Sequence, residues 1–582
     1  MVEVIHLVDE NENNGNDDPA GWKRAREVIE TARISDWDEP TFAGGLFMGD
    51  FQPDLVFPFP FQNEEDRREG DTFLLKLKEF LIEEVDADKI DREEEIPEKV
   101  IDGLAELGAF GMKVPEEYGG LGFSQINYNR AIAMVSSHCS STALMLSAHQ
   151  SIGVSRPVSQ FGTPQQKENY LHAIAEGAIS AFALTEPEVG SDPARMKTVA
   201  EHEGGKWVLN GRKLWCTNGL IADHILVISR TGDGKDDSNE ISAFIVETDW
   251  DGVNVEQRCR FMGLNGIQNG LIRFDDVHVP PENLVGERGQ GLKIALTILN
   301  TGRLTMPAMC VGAARKCHEI ARVWCNEREQ WGKPIGKHES VGGKLGYISS
   351  HLFAMEAVTW LTSGLEDRGG MDLRIEAAMA KLFCSETLWE IADETLQIRG
   401  GRGYERADSL KDRGELGYPV ERILRDARLN RIGEGTSEIL KMFIAREAVD
   451  PHMNIAGDLV KEDSSLGSKL RSVLYAGWRY SLWYPRQWIR WDYTPSIAKH
   501  GGEISRHLSF VKTHSHILSR TLFHAMVRYG RDLEQRHLLL ERLVDVGTDL
   551  LDRVFTSSDE DLMETAENVM GGKMNDLESG IT

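Results

Sequence analysis

Between residues 68 and 285 the apolar residues of this chain change their spacing once, and that change restricts the fold more than any other feature. From 68 to 179, stretches such as LKLKEFLIEEV, IPEKVIDGLAELGAF and YNRAIAMVSSHCSSTALMLSAHQSIG place apolar residues at i, i+3 and i+4, the spacing of a helix with one buried face. From 180 to 285, AISAFALTE, KWVLNGRKLWCTNG, HILVISR, ISAFIVET and LIRFDDVHV alternate or run short and β-branched, with Gly-Gly, Asp-Gly and Asn-Gly between them. Helical spacing returns over 286–450, in GLKIALTILNTGR, EAAMAKLFCSETLWEIADETLQ and EILKMFIAREAV, and a further helical extension covers 451–582. The order predicts an α+β chain: an N-terminal helical domain, a central antiparallel β domain (barrel or sandwich), a C-terminal helical bundle and an additional C-terminal helical domain, with no βαβ winding. Residues 1–67 read as an acidic tail and docking arm. The first forty or so, acidic and Asn-rich at the start, are expected to be disordered. FAGGLFMGDFQPDLVFPFP is too rich in Phe and Pro for a free linker and is expected to lie against the body.

The formal net charge of −28 argues against nucleic acid as a partner. That charge is unevenly spread: residues 469–531 hold eleven Lys or Arg against Asp492 and Glu503, a net of +9, so the remainder carries −37. No run approaches the roughly 18 uninterrupted apolar residues of a membrane span. The opening MVEVIHLVDENENNGNDDPA has six acids and no Lys or Arg, the opposite of a secretory or mitochondrial leader, so a cytoplasmic setting is expected. Seven cysteines without CxxC spacing indicate neither a disulfide framework nor a zinc site, and read as small core residues.

RIGEGTSEIL, 431–440, sets one carboxylate, Glu434, between Gly433 and Gly435, just ahead of a helix start at Thr436-Ser437-Glu438. Flanking glycines mark a bend or a close approach. GERGQG and GGRG look like fragments of a dinucleotide fingerprint, but neither follows a strand in a βαβ unit.

FALTEPEVGSD (182–192), LWCTNG (214–219), REQWGKPI (328–335), QIRGGRGY (397–404) and EGTSE occur together and in order. In these five stretches the chain resembles the acyl-CoA dehydrogenase family, continuously over roughly 68–450, and with its arm and helical extension it is similar to the long, very-long-chain form. The resemblance implies FAD as cofactor, a fatty acyl-CoA as substrate, electron-transfer flavoprotein as electron acceptor, and a homodimer. It makes Glu434 the general base that takes the α proton, with its backbone N–H polarising the thioester oxygen and Gly435 allowing close approach. Phe182, Leu184, Thr185, Gly190 and Ser191 would lie along the flavin, Ser191 also reaching the thioester arm. Trp215, Cys216 and Thr217 would flank its ring. Arg328 and Gln330 would reach the FAD of the neighbouring subunit, with Gln397, Gly400 and Gly401 completing that nucleotide site. Thr436 and Glu438 would complete the flavin phosphate region. Asn300 and Arg303 match the substrate segment, with Asn where many members have Asp. Some relatives carry the base just before this Arg, where this chain has Gly302. Gly433 stands where many relatives have an aromatic residue, which implies either a wider acyl pocket or compensation by a neighbour. An acyl-CoA oxidase, giving electrons to oxygen, and a non-catalytic assembly paralogue remain as alternatives.

In RSVLYAGWRYSLWYPRQWIRW, tryptophans 478, 483, 488 and 491 alternate with arginines. That pattern suits an anionic membrane surface, peripheral on the inner face of the cell membrane. It equally suits a bundle with Trp against a partner subunit.

Overall fold

In the computed structural model, residues 41–60, 62–232, 240–456, 466–489 and 502–553 are described. The expected disorder of the first forty residues, and Trp491, lie outside them. The arm begins with α1 (Phe42–Met48), capped by the Thr41 hydroxyl. The N-terminal helices are α2 (Glu64–Glu84), α3 (Ala87–Glu93), α4 (Glu98–Glu106), α5 (Gln125–His138) and α6 (Ser140–Ser147), followed by a π-helical turn (Ala148–Ile152) and α7 (Ser155–Phe161). The Thr163-Pro164-Gln166 start signal forms a reciprocal capping box.

Eight strands follow: β1 (Ser180–Ala183), β2 (Val199–Glu203), β3 (Lys206–Cys216), β4 (His224–Gly232), β5 (Glu240–Glu247), β6 (Val253–Arg258), β7 (Gly270–Val279) and β8 (Leu284–Val285). They form one sheet in the order β6-β7-β3-β2-β4-β5-β8, with β1 also on β4. Most pairings are antiparallel, as the turn signals predict, but β1 and β2 both run parallel to β4. The reason is local: β1 pairs with His224–Val227 and β2 with Arg230–Gly232, so the two are collinear pieces along the same side of β4. Residues 184–198 leave that line and return to it, carrying most of the FALTEPEVGSD motif out of the sheet.

The chain then re-enters helices with α8 (Gly291–Glu327), a hairpin of β9 (Glu329–Gln330) and β10 (Lys333–Pro334), α9 (Glu339–Arg368), α10 (Arg374–Arg399), α11 (Val420–Asn430), α12 (Ser437–Ala456), α13 (Leu466–Arg486), α14 (Gly502–Tyr529) and α15 (His537–Arg553). By length and composition α8 could cross a membrane, yet 78% of its apolar window is buried inside the protein, as the axis of the bundle. Its Pro307 has no N–H to give the carbonyl one turn earlier, that of Arg303. Six of the seven cysteines are buried and all are free thiols, as small core residues should be. Arm helix α1 buries Phe42, Leu46 and Phe47 in a core shared with α10, α12, α14 and α15.

Candidate active site

Glu434 sits in the turn between α11 and α12 with φ +56°, a left-handed conformation that few non-glycine residues hold. Gly435 follows at φ +99°. This pair of positive φ values answers why a carboxylate stands between glycines: the chain reverses tightly here and aims the Glu434 side chain back at α8. The predicted helix start holds, since α12 begins at Ser437 and the Thr436 hydroxyl accepts from the Ile439 N–H at 3.3 Å. Glu438 is on the exposed side of that first turn.

The carboxylate lies directly over Gly302. A Cβ on Gly302 would stand 2.6 Å from both carboxylate oxygens, so a larger residue there would push the Glu434 carboxylate aside. Although Glu434 as a residue is half-buried, its Oε2 is shut off from solvent and has no hydrogen-bond partner among the described residues. Burial raises the Glu434 carboxyl to about 7, against the opposing pull of two cations, Lys381 and Arg303. Arg303 is 8% exposed, donates to Asn300 Oδ1 at 2.9 Å and lies 4.8 Å over the Phe443 ring. Asn300 thus orients the arginine, a job an Asp would also do.

Lys381 carried no sequence signal, being one lysine within the apolar face of α10. It is fully buried, and its Nζ donates to the Gly435 carbonyl at 2.8 Å, fixing the peptide next to the base. Burial brings its ammonium down to about 8, so it remains charged at neutral pH. Among the described residues the Glu434 backbone N–H has no hydrogen-bond partner, which leaves it available to an incoming oxygen. A Cβ on Gly433 would meet only the Leu429 carbonyl at 3.7 Å and Met306 Cε at 4.0 Å, so this flank is open, with a flexible methionine nearest.

A second wall is built where β1 and β3 end. Thr185 accepts from the Leu214 N–H at 2.8 Å, and the Cys216 thiol points at the Phe182 carbonyl at 3.4 Å. A bulge between Lys213 and Cys216 turns the end of β3, and Trp215 is left 56% exposed at φ +55°. A bulky residue held in that conformation marks a surface shaped for something other than its own core. Asn269, unnoticed in the sequence, donates to the Trp215 carbonyl at 3.3 Å and to the Thr217 hydroxyl at 3.0 Å, while its own Oδ1 has no partner among the described residues. The 184–198 excursion is anchored by a buried ion pair, Lys213 to Glu186 at 2.8 Å, with Lys213 also donating to the Leu184 carbonyl at 3.0 Å. Burial would raise Glu186, but Lys213 and the Lys197 and Thr198 N–H groups hold it below the usual carboxylate range. Gly190 and Ser191 lie exposed on this excursion, with open space around Gly190.

The remaining predicted residues gather elsewhere, on the surface. Arg328 and Gln330 are exposed on the β9–β10 hairpin, whose tip Trp331 is 90% exposed. Gln397, Gly400 and Gly401 are exposed at the end of α10. The two groups meet at Trp324, which has the guanidinium of Arg399 4.2 Å, that of Arg402 5.6 Å and that of Arg328 5.8 Å from its ring centroid. Arg399, passed over in the sequence because attention fell on the glycines, has an Nε without a partner among the described residues, while Arg402 is paired with Glu415.

Sequence models of the acyl-CoA dehydrogenase N-terminal, middle and C-terminal domains match residues 68–178, 181–277 and 289–449. The chain belongs to the acyl-CoA dehydrogenase family. These enzymes are oxidoreductases acting on CH–CH bonds. A probable acyl-CoA dehydrogenase of Mycobacterium tuberculosis, FadE10, is 46% identical over 557 residues, covering 95% of this chain and 86% of that one. The human very long-chain specific acyl-CoA dehydrogenase is 37% identical over 446 residues, 75% of this chain and 65% of that one. Among solved structures, an acyl-CoA dehydrogenase complexed with FAD from Bacillus anthracis superimposes with TM-score 0.72 at 26% identity, covering 93% of this chain and 91% of that one. The Glu434 pocket and the Trp215 wall are the two candidate surfaces that the motifs mark. The exposed Trp215 face and the unpaired Asn269 Oδ1 fit a planar polar cofactor such as a flavin.

Proposed function

We propose that this chain catalyses FAD-dependent α,β-dehydrogenation of a fatty acyl-CoA of long chain length to the trans-2-enoyl-CoA, within fatty acid β-oxidation, and passes the electrons to electron-transfer flavoprotein. The observation that carries the proposal is the Glu434 carboxylate, enclosed over Gly302 and raised to about 7 by burial. A carboxylate with that affinity for protons can hold the α proton of a thioester near neutral pH. As the Cα–H bond breaks, the proton passes to Glu434 and negative charge moves to the thioester oxygen, to which the free Glu434 N–H would donate. Arg303 and Lys381 keep the base anionic before the proton arrives. The chemistry that bound FAD supplies is acceptance of the β hydride. Phe182, Leu184, Thr185, Trp215, Cys216 and Thr217 would hold its ring system, with Thr436 near its phosphate.

Titrating the purified protein anaerobically with a long-chain acyl-CoA while recording the visible spectrum tests this. The flavin band should bleach, and Glu434→Gln should slow bleaching by about 10²–10⁴-fold. A flavin that bleaches equally fast in Glu434→Gln would remove Glu434 from its role. Peroxide formed on turnover in air would instead mark an oxidase.

The proposal extends to a homodimer in which Arg328, Gln330, Gln397, Gly400 and Gly401 complete the partner's flavin site. Support comes from the exposed Trp331 beside them and the three arginines around Trp324. A protein that sediments as a monomer while retaining its flavin would overturn it. A cytoplasmic setting at the inner face of the cell membrane belongs to the same reading.

A further inference from the structure

Residues 259–269 leave the end of β6 and return at the start of β7, and this strap reaches both surfaces described above. At its far end Asn269 holds the Trp215 carbonyl and the Thr217 hydroxyl. In its middle it lies backbone to backbone against α11, the helix that runs into the Glu434 turn. A Cβ on Gly263 would stand 2.5 Å from the carbonyl carbon of Arg425, so the approach needs a residue without one. The next residue, Leu264, is buried at φ +55°, and its N–H donates to the buried Asp426 carboxylate at 2.5 Å. A leucine in the left-handed region stays there only because its surroundings hold it.

From Asp426 the backbone hydrogen bonds continue towards the base. Helix α11 ends at Asn430, and the N–H groups of Ile432 and Gly433 both reach back to the Leu429 carbonyl, at 2.8 and 2.9 Å. From Leu264 they continue towards the wall: the Ile267 N–H bonds the Leu264 carbonyl at 3.0 Å, and the Cys259 N–H closes the strap on the Asn269 carbonyl at 2.8 Å. Arg425 also ties α11 to the strap, donating to the Met262 carbonyl at 3.1 Å, but at the exposed rim, where water can take its place. The Asp426 contact is enclosed. Burial pushes its carboxyl up to about 6, against the pull of Arg422 and of the Leu264 N–H, so at neutral pH it is a carboxylate accepting a charge-assisted bond. Without that acceptor the Leu264 N–H would be buried and unpaired on a backbone already in an unfavourable conformation, and the strap would relax.

We propose that Asp426 is a positioning residue that, through the Leu264 N–H and Asn269, sets the Trp215 wall at a fixed place relative to the Glu434 base. It touches neither substrate nor cofactor. The inference rests on the dehydrogenase reading above, in which the acceptor of the α proton and the surface that would hold the flavin must keep one spacing. A misplacement of about 1 Å can cost about 10²-fold in rate.

The test compares wild type, Asp426→Ala and Asp426→Asn, the last keeping an oxygen for the Leu264 N–H. Hydrogen exchange of the 214–219 backbone, which needs no turnover, should be about tenfold faster in Asp426→Ala and near wild type in Asp426→Asn. Anaerobic flavin bleaching at saturating long-chain acyl-CoA should slow by about 10²-fold in Asp426→Ala, at unchanged flavin content and half-saturating concentration, and recover most of its rate in Asp426→Asn. A stability defect alone lowers the bleached fraction and leaves the rate constant where it was. Asn269→Ala breaks the same link at its other end, so combining it with Asp426→Ala should cost no more rate than the slower single variant. Losses that multiply, an unchanged rate or exchange in Asp426→Ala, or an Asp426→Asn as slow as Asp426→Ala would overturn the proposal and leave the dehydrogenase reading intact. Where Asp426→Ala does not load with flavin, Asp426→Ser takes its place in both readouts. A wild type that holds flavin and does not bleach overturns the dehydrogenase reading, and the proposal with it.

Discussion

At Glu434, burial raises the proton affinity and two cations oppose it, so the base titrates near neutrality. The working form is the carboxylate. The rate of flavin bleaching should therefore rise with pH through about 7 and level off above it. Lys381→Met removes one opposing charge, so the midpoint should move to higher pH while flavin content stays constant, and Lys381→Arg should restore most of the shift. A profile that does not move in Lys381→Met would reduce Lys381 to a support for the Gly435 carbonyl. Glu434 was legible in the sequence because the chain marks it with two glycines and four companion motifs. Lys381 was not, because a buried lysine on an apolar helix has the same letters around it as an exposed one until its carbonyl partner, 54 positions away in sequence, is known. The same holds for Asn269, whose value lies in clamping the Trp215 carbonyl and Thr217 across the sheet.

Among the elements, the arm helix α1 has the least ordinary attachment. Its N-terminal N–H groups meet a buried carboxylate on α10: Glu376 accepts from the Ala43 N–H at 2.9 Å and the Thr41 hydroxyl at 2.5 Å, while its Oε2 has no partner among the described residues. Burial raises Glu376 from the ordinary 4.5 to about 7, outweighing both hydrogen bonds. A carboxyl raised on folding favours the folded state fully below its unfolded pKa, and that contribution is lost as pH rises through the folded value. The arm should hold firmly near pH 5 and loosen towards pH 8, by up to roughly 3 kcal/mol at one pKa unit per 1.36 kcal/mol. Chymotryptic cleavage at Phe42 and Phe47, followed against pH, should rise in the wild type and stay flat in Glu376→Gln; parallel curves would disprove the link. Element types and their order were readable from the period of the apolar residues. The parallel placing of β1 and β2 was not, because it depends on the 184–198 excursion returning to the same side of β4, which no local pattern encodes.

For the molecule as a whole, the helical extension presents a mixed face. Trp483 turns inward, donating to the Met48 carbonyl at 3.0 Å and packing with Tyr480 and Phe523 around His452. Leu470, Leu474, Trp478 and Leu482 instead form an exposed stripe at four-residue spacing on α13, with Arg471, Arg479 and Arg486 also exposed on the same helix. We propose that this stripe meets an anionic lipid surface, rings and aliphatic chains at the headgroup boundary and arginines on the phosphates. Co-sedimentation with vesicles rich in anionic lipid, reduced by salt and by Trp478→Glu, is the expected result. Equal binding to neutral vesicles, or none, would leave the stripe to a second copy of the chain. Trp483 packs within its own subunit while Trp478 is exposed, because alternation along a helix sends neighbouring rings to opposite sides.

The arm also joins the two ends of the described chain. Leu46 accepts from the Ser515 hydroxyl at 2.8 Å, 469 residues apart, and the Phe47 ring fills the place where Gly547 lacks a Cβ. At about 5–20 residues per second of synthesis, that gap lasts roughly 20 to 90 s. Throughout that interval Phe42, Leu46 and Phe47 lack the helices that cover them, leaving an apolar segment open to chaperones on the ribosome. A chain stopped before α15 would keep that segment uncovered, so the last of the described helices to be translated reports on the first of them.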